Sequence, residues 1–139
     1  MKPVTLKNSY GDAVYSTEVE DGDDNPVRTA VVRAVRAGVN LARVQLRGAN
    51  LTGAMLADAR MWSADLQDCD LTNVELYHAN LADADLRNST CTGACFNRAI
   101  LNDADLTMAV FDENAFDFAD TRGAIRRTRF DADEPRRGI

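Results

Sequence analysis

The side chains that could do chemistry are few and poorly grouped for it. The chain has three cysteines, Cys69, Cys91 and Cys95, and a single histidine, His78. A structural metal site takes about four ligands, and His78 is not spaced to join the thiols. No nucleophile–His–acid set, no phosphate-cradling Gly loop and no HExxH or CxxC pattern occurs. Carboxylates are plentiful, with 22 Asp and Glu against 16 Lys and Arg and a net charge of −6. They are unevenly spread. Residues 1–38 carry six acids and five bases, residues 39–118 twelve and five, and residues 119–139 four and six. The middle is therefore an acidic body, which argues against direct binding to a phosphate backbone. No catalytic residue, metal ligand or cofactor site is assigned, and an enzyme is not expected.

The element that must carry these residues is the stretch from Val39 to Phe118. Written in fives it reads VNLAR VQLRG ANLTG AMLAD ARMWS ADLQD CDLTN VELYH ANLAD ADLRN STCTG ACFNR AILND ADLTM AVFDE NAFDF. The third residue of each unit is Leu in eleven of sixteen units, and otherwise Met61, Cys91, Phe96, Phe111 or Phe116. The first residue is small, most often Ala. An α-helix would smear residues five apart around its circumference, because five steps turn it by about 500°. A continuous strand would send successive third residues to opposite faces. The pattern predicts an all-β solenoid with a corner in every unit, in which the first and third residues point inward. Gly, Asn and Asp fill nine of the sixteen fifth positions, as corners require. Cys69 and Cys91 then fall inward and Cys95 outward, and reduced core thiols are expected.

This run resembles the pentapeptide repeat family, whose consensus is A-(D/N)-L-x-x; ADLQD, ANLAD, ADLRN and ADLTM match it outright. The resemblance implies a right-handed quadrilateral parallel β-helix with twenty residues per coil. Sixteen units would give four coils in a rod about 19 Å long at strand spacing. Leu46, Leu66, Leu86 and Leu106 would then form one inner column. Leu56, Leu76, Phe96 and Phe116 would form another.

With twenty residues per coil, Asp65, Asp85 and Asp105 would stack on one side, and Asp83 and Asp103 at the adjoining corner. Only Arg87 and Arg47 would lie near enough to answer them. An acidic surface for a basic partner and a solvated family consensus are both open readings. A convex rod offers no pocket to turn such carboxylates into an acid–base pair. Trp62 and Tyr77 would point outward, either as a contact hot spot or packed under the N-terminal segment. His78 would lie between Asp58 and Arg98 in a weak surface ion pair.

The flanks complete a single domain. Residues 1–38 predict a hairpin from strands 4–7 and 13–19, then a capping α-helix. Asn25 is its N-cap, Pro26 its first residue and Gly38 its stop. Val27, Ala30, Val31, Ala34 and Val35 make its apolar stripe, and Arg28, Arg33 and Arg36 point away. The helix would seal the open first coil. Residues 39–123 form the solenoid and 124–139 a basic tail with Arg126, Arg127, Arg129, Arg136 and Arg137. Ile125, Phe130 and irregular chain, or another subunit, would cover the last coil. No run is long enough to span a membrane and no signal segment opens the chain, so a cytoplasmic protein is expected. The family offers two functions. One is a non-catalytic protein–protein interaction or scaffold module of unassigned partner. The other is a DNA-mimic inhibitor or protector of a DNA-binding enzyme such as gyrase. The partner would be a protein, with no direct nucleic acid, and the chain a monomer or a dimer through its C-terminal end.

Overall fold

The fifth residue of each unit shapes the chain. The computed structural model describes residues 1–127 and the main chain of Arg137–Gly138. From Arg43 to Gly123 every fifth residue is left-handed, with φ between 57° and 75°, except Glu113. L-residues strain in that region and Gly does not, which explains the bias toward Gly, Asn and Asp. The second residue braces the same corner. Asn40, Asn50, Asp65, Asp70, Asn80, Asp85, Asp105 and Asp120 each accept, through Oδ1, the backbone N–H two residues on. This is the Asx turn, and it gives the Asp or Asn of the repeat a structural task.

Between corners the chain is extended for one or two residues, and these short pieces stack in parallel. Asn40 bridges Arg60, then Asn80, Ile100 and Asp120; Gln45 bridges Asp65, then Asp85, Asp105 and Ile125. On a third side, Asn50 bridges Asp70 and then Thr90, which continues into the pairing of β3 (Thr90–Cys91) with β4 (Val110–Phe111). On the fourth, Met55 bridges Glu75 and then Cys95. Each coil thus takes twenty residues. Leu66 N–H donates to Asp85 O at 2.8 Å in the next coil, while Asp65 N–H donates to Val44 O at 2.9 Å in the previous one. Leu46, Leu66, Leu86, Leu106, Leu56, Leu76 and Phe96 are buried inside. Each such Leu contributes about 2 kcal/mol.

Four details depart from the sequence reading. Phe116 is only partly buried, because it closes its column: it stacks on Phe96 at 5.0 Å and meets Phe111 edge-on at 4.7 Å. The ladder is interrupted beside it. Gly93 N–H bonds the Asp112 carboxylate, and Ala115 N–H turns to Asp112 O instead of reaching the previous coil. The ladder then resumes and runs past residue 123, with Leu106 N–H on Ile125 O at 2.7 Å and Met108 N–H on Arg127 O at 2.6 Å. Finally, Arg28 and Arg33 do not point away. Arg28 donates to Thr52 O, and Arg33 to Glu18 O and Thr17 Oγ1. A guanidinium reaches carbonyls left open at a sheet edge more readily than a short side chain can.

Both ends are closed by antiparallel chain. The hairpin of β1 (Lys2–Lys7) and β2 (Ala13–Val19) docks through an Asn8–Val44 bridge, with Gln45 N–H on Lys7 O at 2.9 Å. Helix α1 (Pro26–Arg36) lays Ala30, Val31 and Ala34 on the core, although Val27 is 37% exposed. Asn25 caps it by accepting Arg28 N–H, and its amide donates to Asn50 O. Gly38 ends it at φ 70°. At the other end β5 (Ile125–Arg126) pairs antiparallel with β6 (Arg137–Gly138). Phe130, Arg129 and Arg136 lie outside the described residues.

The corner geometry is testable. Met108 is left-handed at φ 63°, whereas Glu113 is not left-handed. Met108→Gly is expected to raise the unfolding free energy by up to about 1 kcal/mol, and Glu113→Gly to lower it slightly. Denaturant melts of the two variants decide it; equal shifts would mean that the corners are unstrained.

Candidate functional site

The repeat turns inward positions into core and leaves second, fourth and fifth residues to form the outer wall. Asp65, Asp85 and Asp105 sit above one another on that wall, joined by successive parallel bridges. Each is partly exposed, and each is tied to its own turn. Asp65 Oδ1 accepts from Gln67 N–H and Gln67 Nε2, both at 3.1 Å. Asp85 holds Arg87 through both oxygens, with Arg87 Nη2 to Asp85 Oδ2 at 2.7 Å. Asp105 Oδ1 accepts from Thr107 N–H and Thr107 Oγ1. The Asp85 carboxylate holds the Arg87 guanidinium above its ordinary pKa. Arg47 does not join this column; it pairs with Asp68 at 3.4 Å and with Gln67. At the adjoining corner Asp83 and Asp103 are exposed and left-handed, and Asp103 leans over Gly123.

Among the described residues, Trp62, Tyr77 and His78 make no hydrogen bond, ion pair or ring contact with this column. Trp62 is half-buried on the outer wall. Tyr77 is 40% exposed and packs edge-on against His78 at 4.1 Å. His78 forms this ring contact, and no ion pair of the described residues joins it to Asp58. Sequence reasoning missed Asp120, which holds Arg122 at 2.6 Å and whose carboxyl that partner pulls down to about 2.

Cys69 donates to Leu46 O and Cys91 lies against Ser89 Oγ inside the core; burial pushes both thiols up to about 11. Such thiols are poor nucleophiles at neutral pH. Cys95 lines an outer cavity of about 400 Å³ with Gly93, Asp112, Glu113 and Asn114. A second cavity, of about 510 Å³, lies against Phe111, Phe116, Asp117 and Arg126. Among the described residues, no group of His, Cys, Asp and Glu is arranged to hold a metal, and no helix is long and apolar enough to cross a membrane.

The Asp column can be probed directly. Asn40, Asn50 and Asn80 make the same turn bond without a charge. Replacing Asp65, Asp85 and Asp105 by Asn should therefore keep the turns and relieve repulsion. Stacked carboxylates about 5 Å apart repel by about 1 kcal/mol in water, and salt screens this. The triple Asn variant is expected to melt no lower than wild type, and its advantage to shrink as salt is added. The triple Ala variant should melt lower. Thermal melts at two ionic strengths check both; a triple Asn variant that melts with the Ala variant would make the charge itself structural.

Comparison with protein families matches residues 37–73 and 64–103 to pentapeptide repeats in eight copies. Among solved structures, the chain is similar to HetL, a pentapeptide repeat protein involved in heterocyst differentiation regulation from the cyanobacterium Nostoc sp. strain PCC 7120. The identity is 29% and the TM-score 0.59, over 62% of this chain and 40% of that one. It is also similar to the pentapeptide repeat protein Rfr23 from the cyanobacterium Cyanothece 51142, at 28% identity and TM-score 0.51, over 64% of this chain and 58% of that one. The chain thus spans less than two thirds of either relative's length. No curated protein matches it.

Proposed function

Because the chain belongs to the pentapeptide repeat family through residues 37–103, whose members are generally non-catalytic, we propose that it is a protein–protein interaction module with a basic protein as partner. In this reading the rod is a right-handed, four-sided β-helix of about four coils and works in the cytoplasm. Three free cysteines suit that compartment. The observation that carries the reading is the coil-to-coil run of Asp65, Asp85 and Asp105, with Asp83 and Asp103 exposed beside it. Only Asp85 of these five has an ion-pair partner among the described residues.

That same run supports a second reading, in which the rod imitates DNA before an enzyme such as gyrase. Its repeat of carboxylates at strand spacing favours this. The length weighs against it, because about 19 Å matches only about six base pairs. One experiment separates the readings. The wild type and the triple Asn variant at 65, 85 and 105 are used for affinity capture from the host and in a gyrase supercoiling assay. The interaction module expects a basic protein retained by the wild type alone, with supercoiling unaffected. Inhibition or protection of gyrase by the wild type alone selects the mimic. Equal behaviour of the two variants removes the Asp column from either function.

A further inference from the structure

At the corner that leads into the fourth side, successive coils read Thr52-Gly53-Ala54, Thr72-Asn73-Val74 and Thr92-Gly93-Ala94, and then Asp112-Glu113-Asn114. Each of the three changes acts in the same direction. Thr72 and Thr92 offer their main-chain carbonyls to the corner N–H one coil below, whereas at Asp112 the carboxylate takes the Gly93 N–H in place of the carbonyl. Gly53, Asn73 and Gly93 are left-handed, and Glu113 is not. Ala54, Val74 and Ala94 are buried, and Asn114 is exposed, since its amide would lack partners in an aliphatic core.

The rung that follows spends its donors on itself. In the coils below, Glu75 N–H reaches back to Ala54 O and Cys95 N–H to Val74 O. By that rule Ala115 N–H would reach Ala94 O, but it bonds Asp112 O, and Asp117 N–H bonds Asn114 O. Residues 113–118 are accordingly a run of turns, where Met55, Glu75 and Cys95 of the same side are bridged in extended chain. Phe96 N–H still finds Ala115 O at 2.9 Å, so the rung stays seated on the coil beneath it.

The last rung of a parallel ladder is an edge, and a straight edge is a template for a strand of another molecule. We propose that residues 112–117 are a stop built into the ladder, which keeps a second copy of this chain from adding a strand to this side of the rod. A bulge ends pairing by bending the chain out of line. Here it also commits the N–H groups of Ala115 and Asp117, which a straight rung would hold ready. The side that ends in β5 is closed differently, by the antiparallel pairing of β6. The stop goes beyond the partner reading and does not depend on it.

The test restores the residue types of the earlier coils, with Asp112→Thr, Glu113→Gly and Asn114→Ala together in the full chain. Sedimentation equilibrium over a range of concentrations compares this variant with the wild type. The restored chain is expected to self-associate at least about tenfold more tightly. It should melt no lower, because Gly suits a left-handed corner and Ala an inward position. Backbone chemical shifts should place position 113 in the left-handed region. A second variant, Asp112→Asn/Glu113→Gln/Asp117→Asn, removes the charges and keeps an oxygen for the Gly93 N–H, and it should associate as the wild type does. If it associates as tightly as the restored chain, repulsion and not the bend guards this end, and the proposal falls. It falls equally if position 113 of the restored chain turns left-handed and the chain associates no more tightly than wild type. A restored chain that keeps the bend, or that does not fold, overturns it as well, since the triplet would then not encode the stop.

Discussion

Leu66→Lys is expected to leave a chain with no cooperative unfolding transition. Leu66 is 1% exposed in the middle of its column, with Leu46 and Leu86 one coil away on either side. The substitution removes about 2 kcal/mol of apolar burial. It also puts an ammonium where only aliphatic groups and committed main-chain bonds surround it, a cost of several kcal/mol. Together these rival the whole stability of a small domain. Glu75→Lys, on the exposed wall, serves as the control and should melt near wild type. Circular dichroism melts of the pair give the answer. A soluble Leu66→Lys protein with the wild-type transition would mean that the third residues do not face inward.

The second large effect is expected at the N-terminal end. Val31 is fully buried between helix α1 and the first coil, in one cluster with Leu6, Leu41, Val44 and Leu46. Val31→Asp should cost about 3 kcal/mol or more, from lost burial and an unpaired carboxylate. A stacked array unfolds by neighbours, so the loss should be local. Hydrogen exchange should speed up at Gln45, whose N–H donates to Lys7 O of the N-terminal hairpin, and at Leu46 beside it in the first coil. It should change little at Asp85 and Leu86, two coils further on. Uniform loss of protection would show that the coils unfold as one body; unchanged protection would show that the helix does not seal the first coil.

Five-residue periodicity made a solenoid with inward centres legible, and the resemblance to pentapeptide repeats supplied the twenty-residue coil. Helix α1 was legible for a different reason: Asn25, Pro26 and Gly38 spell out its start and stop, and all three act as read. The interruption at 112–115 was not. Phe111 and Phe116 keep the centres apolar, and Glu113 at a corner looks no stranger than Arg98 or Met108, which do turn left-handed. What differs is three-dimensional: rings 96, 111 and 116 meet where other coils bring Leu together. Antiparallel closure by β6 was equally hidden, since a two-residue pairing carries no pattern. Candidate partner residues were read from stacking alone. That arithmetic placed Asp65, Asp85 and Asp105 in one column, but it could not see Asp Oδ1 bonding to the turn two residues on.

The twenty-residue bridge spacing has a consequence for how such a chain can change over time. Adding or losing twenty residues within the repeat lengthens or shortens the rod and leaves every side chain facing the same way. Adding or losing five keeps each corner and each inward residue, yet turns everything beyond the edit by a quarter of a revolution. The compass bearing of Phe118 relative to the N-terminal hairpin is therefore set by the number of units between them modulo four. Hydrophobic burial is blind to that remainder, and a partner that grips both ends would read it directly.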